Sequence, residues 1–221
     1  MYPTFLINYF LMKKQHLKYL AAILAVLLVI FLSLDIHRLD SARARPASEV
    51  FDVGTYVEVL WEDHMPGRLH EAVGAARLFS MLEEDPEEAF ENYSHKLGIS
   101  NTHYFFINGE GLINSVEEEY ISVYLDDNRR IELETVFVFG NAVRDGSGLV
   151  NIDEFENMMD FNLVSVHLNR KVRMEVADPL RDRASEGMRI RFTGAAEINR
   201  LDMQTDPLKI IPLKTELNYG D

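Results

Sequence analysis

Asp145, Ser147, Gly148 and Glu154 are spaced like positions three, five, six and twelve of a calcium loop that would open at Val143. In such a loop alternate side-chain oxygens surround the ion, a glycine at six makes the sharp turn, and a glutamate at twelve closes the shell with both its oxygens. Two features weigh against that chemistry. Position one is Val143, where an aspartate is required. The entering segment ETVFVFGNAV (Glu134 to Val143) has the composition of a strand, whereas an EF-hand needs an incoming helix. Asp153 and Glu154 already suit the first turn of a following helix, where acids complement the dipole. The reading preferred is therefore a turn, Asp145-Gly146-Ser147-Gly148, with a calcium site over residues 143–154 as the alternative.

Arg144 and Asp145 are adjacent at what reads as a strand end, so their side chains should diverge and each need its own partner. They are candidates for contact with a ligand or a partner protein. The plainer role ties Arg144 to a nearby carboxylate and uses Asp145 in the turn. Asn162 and Asn169 lie two helical turns apart. They either hydrogen-bond barrel backbone or line a pocket for a polar solute such as a sugar. Arg144, Asp145, Asn162 and Asn169 form the candidate ligand- or partner-binding set.

Other clusters carry less. His64 and His70, with Asp63, are separated by Pro66 and Gly67, which leave no fixed helical face for a metal pair, so exposed histidines are expected and no metal site is assigned. Gly109-Glu110-Gly111 has no helix after it and reads as a turn, not a phosphate loop. Glu117, Glu118 and Glu119 read as a solvated edge. Tyr104 to Phe106 and Tyr124 could stack single-stranded nucleic acid, but core packing is the expectation. No Gly-x-Ser-x-Gly, His-Glu-x-x-His or Walker pattern occurs, and no cofactor is assigned. The chain is read as non-enzymatic.

These residues need elements to hold them. Val53, Tyr56, Val57, Leu60 and Trp61 have helical spacing over Asp52 to about Asp63. A second helix is expected from Gly67 to about Glu83. A third begins at the cap Asp85 with Pro86 behind it and ends at Gly98. The period then changes to that of strands, at His103–Ile107, Glu119–Leu125 and Ile131–Phe139. In the last, Ile131, Leu133, Thr135, Phe137 and Phe139 share the inner face, with Glu132 and Glu134 outward. The turn Asp126-Asp127-Asn128 precedes it. A long helix over 152–177 follows, opened by a capping box from Asn151 to Glu154 and stopped by Pro179. Strands at Arg189–Glu197 and Leu208–Leu217 close the chain. Three strands, a helix and two strands is the order of an OB-type barrel, whose helix plugs the barrel bottom. The fold class is thus α+β: a helical subdomain over 51–98 packed on a five-stranded OB-like β-barrel over 99–221.

Ahead of these lies an anchor. Tyr19 to Leu34 is uncharged and apolar, and Leu17 extends it. That is close to the roughly 20 residues of a membrane helix. The assignment is a cytoplasmic tail (1–16), an uncleaved transmembrane signal anchor (17–36) and a linker (37–50), with Met12 before Lys13 and Lys14 as a possible true start. Basic residues are equal in number on the two flanks, but the lysines crowd the span and the N-terminal tail is short, which favours that end inside. The first 45 residues hold six of the 22 basic and two of the 36 acidic residues, leaving 16 against 34 and a net charge of −18 from Pro46 onward. So acidic a domain repels nucleic acid and anionic headgroups. The absence of cysteine excludes disulfides, thiolate metal sites and lipid on cysteine.

From Phe51 to the end the chain resembles a family of uncharacterised predicted periplasmic lipoproteins. The matching segments are FDVGTYVEVLWED (Phe51 to Asp63), Gly140 to Asp145, NIDEFENMMDF (Asn151 to Phe161), His167 to Asn169 and EGMRIRFTGAAEI (Glu186 to Ile198). The Gly-x-Ala-x-Arg-Asp segment and the Phe155/Asn157 pair are the most specific. The resemblance implies genes beside ribose-type sugar ABC importers, and hence a permease or solute-binding protein as partner, but no established reaction. It departs at the front, where a membrane helix stands in place of a lipidated cysteine. The expected function is a non-enzymatic, membrane-anchored accessory protein outside the cytoplasm, associated with a sugar importer. The alternative is a solute-binding module with a pocket between the helices and the barrel.

Overall fold

In the computed structural model, residues 51–218 are described, so the tail, the anchor and the linker all lie outside the described residues. Helix α1 (Val53–Val59) opens as expected, with the Asp52 carboxylate accepting the amides of Gly54 and Thr55 at 3.0 and 3.2 Å. It does not stop before Pro66. A π-helical turn, Leu60–His64, carries it into α2 (Met65–His70). The wider π turn shifts the hydrogen-bond register just upstream of the proline, so the missing N–H of Pro66 does not break the helix. The same device recurs later. Helix α6 (Met158–Val172) passes through a π turn, Arg173–Ala177, into α7 (Asp178–Arg183), and Pro179 sits inside the continuing helix. Pro179 was expected to end it.

The expected second helix is interrupted at its middle. Val73–Gly74 form a short strand, β1, parallel to Ile107–Asn108, and only then does α3 (Ala75–Glu84) begin. Asp85 caps α4 (Pro86–Tyr93) as its sequence predicts. The chain leaves α4 at Tyr93, ahead of Gly98, to form β2 (Ser94–His95).

Strand β3 (Thr102–Val116) runs straight through Gly109-Glu110-Gly111, which the sequence marks as a turn. The glycines serve close approach. A Cβ on Gly111 would stand 2.4 Å from the Tyr124 carbonyl oxygen, and one on Gly109 would stand 2.8 Å from the Phe192 ring. β4 (Tyr120–Leu125) and β5 (Arg130–Glu134) form a hairpin through Asn128, whose φ of 63° suits the tight turn. β6 (Arg189–Asn199) and β7 (Leu208–Asn218) complete the sheet. The pairings run β3-β4-β5-β7-β6 and return from β6 to β3; only β5 and β7 are parallel within this circuit.

Two cores result. Phe105, Ile107, Ile121, Val123, Leu133 and Phe192 pack together between the strands, and Leu78, Phe79 and Leu82 of α3 close over them. The second core lies on the opposite side of β3, β6 and β7. There Phe106, Ala195 and Leu213 meet α1, Ala142–Val143 and the Val164/Leu168/Val172 stripe of α6. The helix expected as a plug divides its role: α6 lies on the second core, outside, while its continuation α7 sends Leu180 into the first core, which α3 also covers.

Candidate functional site

The segment expected as a strand end and turn is a short helix, α5 (Ala142–Ser147), ended by Gly148 at φ 64°. A helix, unlike a strand, lets Arg144 and Asp145 turn toward each other. Arg144 Nε donates to Asp145 Oδ1 at 2.6 Å, and the two side chains are 1% and 6% exposed. The expected divergence of the two side chains is thus corrected. Arg144 Nη1 also donates to the Phe161 carbonyl at 3.1 Å and to Asn162 Oδ1 at 3.4 Å, and the guanidinium carbon lies 3.7 Å from the centre of the Phe161 ring. Planar stacking combined with several in-plane donors is what guanidinium geometry permits.

α6 continues the contact at helical intervals. Ser165 donates to Asn141 Oδ1 at 3.0 Å, and Asn169 Nδ2 donates to the Gly140 carbonyl at 2.9 Å. Residues 161, 162, 165 and 169 thus form one polar stripe that clasps the chain from Gly140 to Asp145. The α6 start differs from the expected capping box. Asn151 caps a 3-10 turn, Ile152–Glu154, and Asn157 caps the helix proper by accepting from Asp160 N at 2.9 Å. The expected helix over 152–177 becomes two elements because Phe155 turns inward between them. Its ring packs at 5.3–5.5 Å from Phe51, Tyr56 and Phe161, linking the first described residue to the Arg144 stack. Burial first, then the Glu154 carboxylate that its hydroxyl meets at 3.2 Å, push Tyr56 up to about 12.

The far end of α5 is held from the other side. Arg68 Nε donates to the Ser147 carbonyl at 2.7 Å, and its Nη2 meets His95 Nε2 at 2.7 Å. Burial, then the Arg68 charge, hold His95 below its ordinary value. In the calcium reading Asp145 and Ser147 supply oxygens. Here Asp145 serves Arg144, while Ser147 Oγ donates to the Arg144 carbonyl and accepts from Leu149 N.

A cleft of about 820 Å³ lies beside this clasp. Its floor holds Ala142 from α5 together with Ala195 and Ile211 from β6 and β7. Its walls are Phe137 and Phe139 on one side and Met203 to Pro207 on the other. Sequence alternation places Phe137 and Phe139 on the buried face. The structure reverses this: Val138 is 1% exposed, Phe137 43% and Phe139 65%. β5 ends at Glu134, and Thr135 turns to bond the Glu119 carbonyl, so the two-residue period resets. Arg173 donates to the carbonyls of Val136 and Val138 at 3.4 Å each and steadies the exposed pair. The Phe-x-Phe before a glycine was the available signal for this wall. Tyr124, expected in the core, is also exposed, while Phe105 and Phe106 point into different cores and form no platform. His64 and His70 are exposed.

The chain matches the model of a family described as "Predicted periplasmic lipoprotein (DUF2291)" over residues 24–216. Among solved structures it is similar to an OB-fold protein from Thermotoga maritima, at 27% identity and a TM-score of 0.70, covering 77% of this chain and all of that one. Among curated proteins none matches.

Proposed function

We propose that the chain, which belongs to this family of predicted periplasmic lipoproteins, is a non-enzymatic accessory protein of a sugar ABC importer, held at the outer side of the membrane and touching the permease or the solute-binding protein. An extracytoplasmic, membrane-associated location goes with the family. None of the 221 residues is a cysteine, so the apolar run Tyr19 to Leu34 takes the role of the lipid as a single-pass anchor. The pairing circuit of the five long strands is read as a closed OB-like barrel that carries the working surface on its outside.

The observation that carries the reading is the pair Phe137 and Phe139, exposed beside a cleft with a polar rim. Clustered exposed aromatics on a rigid support are the usual mark of a protein-binding surface. The rigid support is the clasp, which engages Arg144, Asp145 and Asn169 inside the fold.

A second reading, a solute-binding module, rests on the size of the same cleft, which falls within the range of small-ligand sites. Two experiments on the full chain separate them. Crosslinking in native membranes identifies neighbours, and thermal shift against pentoses and hexoses reports solutes. A sugar at a hundredfold excess over its Kd stabilises by about 2.7 kcal/mol. Capture of a permease or binding protein with no shift supports the accessory. A sugar-dependent shift without such capture ends it.

A further inference from the structure

We propose that the cleft between Phe137–Phe139 and Met203–Pro207 docks an apolar peptide segment of a partner protein that carries lysine or arginine beside its apolar side chains. The inference rests on the accessory reading and names the chemistry of the contact.

The apolar half of the match is in the floor and walls. Ala142 and Ala195 are small, and with Ile211 they leave a shallow trough in which a side chain can lie against packed, unyielding atoms. Phe137 and Phe139 meet edge to face, with centroids 6.1 Å apart, and present ring surface to whatever enters.

The charged half is in the rim. Four carboxylates border the cleft: Glu134, Glu197, Asp202 and Asp206. The one lysine of the lining, Lys209, is drawn to Glu134 at 3.4 Å. Asp202 takes a bond from Gln204 at 3.2 Å. Glu197 and Asp206 have no side-chain hydrogen bond or ion pair among the described residues. The rim therefore offers acceptors in excess. A sugar needs donors and acceptors in near balance, since each hydroxyl is both. A guanidinium or ammonium supplies donors alone, is attracted by carboxylates, and gains further from an aromatic face. An apolar segment with a basic residue satisfies trough, rings and rim together. An acidic or purely apolar segment leaves the rim repelled or unpaired.

The test places a photo-crosslinking benzoylphenylalanine at position 139 of the full chain in native membranes, and sequences the peptide it captures. The expected product is one segment of another protein with lysine or arginine next to apolar residues. Its yield should fall at least about tenfold when Asp202→Lys and Asp206→Lys are combined, and should fall in high salt. Variants whose thermal melts match the parent qualify for the comparison. The proposal is overturned by capture of an acidic or uncharged segment, by capture of a second copy alone, by yield no higher than from the same probe at Leu112, by indifference to charge reversal, or by protection with ribose. Probes at Leu112 and Met174, exposed on other surfaces, separate the two claims. An importer component caught only there keeps the accessory reading and removes this groove. A basic apolar segment of a non-importer protein caught at 139 keeps the groove and removes the importer.

Discussion

Arg144 lies with its guanidinium carbon 3.7 Å from the centre of the Phe161 ring, and the backbone carbonyl of that same phenylalanine accepts its Nη1. One residue thus receives both the face and the edge of the cation. With Asp145 as counter-charge, the arginine is buried and multiply bonded, and α5 is fixed against α6 at the point where Ala142 floors the cleft.

Removing one partner of that buried pair leaves the other charge without compensation. Arg144→Met and Asp145→Asn should each cost about 3–5 kcal/mol. Arg144→Lys, which keeps the charge but loses the planar fork, should still cost about 1–3 kcal/mol. Urea unfolding monitored by circular dichroism reads all three. Changes below 1 kcal/mol for the first two would show that the pair is not buried as described.

The specific segments of the sequence turned out to be legible in position and misread in form. Gly140 to Asp145 stood out, yet strand composition before it concealed a six-residue helix whose geometry pairs two neighbours that a strand would separate. The cap at Asp85 and the hairpin at Asn128 were readable because they rest on local chemistry alone. The continuous helices through Pro66 and Pro179 were not, since a π turn has no composition of its own. Alternation places Phe137 and Phe139 in the core because it carries no mark where the strand stops.

Glycine substitutions test the two backbone readings. Gly67 sits in α2 with nothing within 4 Å of its missing Cβ, so Gly67→Ala should gain about 0.5–1 kcal/mol. Gly111→Ala would drive a methyl group against the Tyr124 carbonyl and should lose about 1–3 kcal/mol or more. A turn at 109–111, as the Gly-Glu-Gly segment suggests, would tolerate Gly111→Ala, and a chain not helical at Gly67 would gain nothing from Gly67→Ala; thermal melts of the two variants distinguish these outcomes.

His95 makes the fold sensitive to mild acid. Its pKa is lowered in the folded state, first by burial and then by Arg68, whose Nη2 donates to the neutral ring. The unfolded chain therefore binds more protons just below the ordinary histidine value, and stability falls as pH drops from about 7 toward 5. His103, buried against Phe90, is lowered in the same way and adds to the slope. Glu134 is raised by burial and acts in the opposite direction at lower pH. The difference between parent and His95→Gln isolates the one histidine. Its melts should fall less steeply with acid, and equal slopes would remove His95 from the account.

Exposure separates the cleft wall from the core beneath it. Phe137→Ser with Phe139→Ser should change stability by about 0.5 kcal/mol or less, whereas Val138→Ala should cost about 1–3 kcal/mol. Denaturant midpoints compare them. The reverse order would restore the alternation that sequence predicts and abolish the exposed aromatic wall.

The most direct measurement of the central claim is sugar uptake by cells of the native host lacking this chain, complemented with the parent or with the Phe137→Ser/Phe139→Ser form at matched abundance. Labelled ribose uptake should fall several-fold on deletion, return with the parent and not return with the double variant, while the importer's own binding protein keeps its affinity for ribose. Uptake indifferent to deletion, or restored equally by both forms, would contradict it.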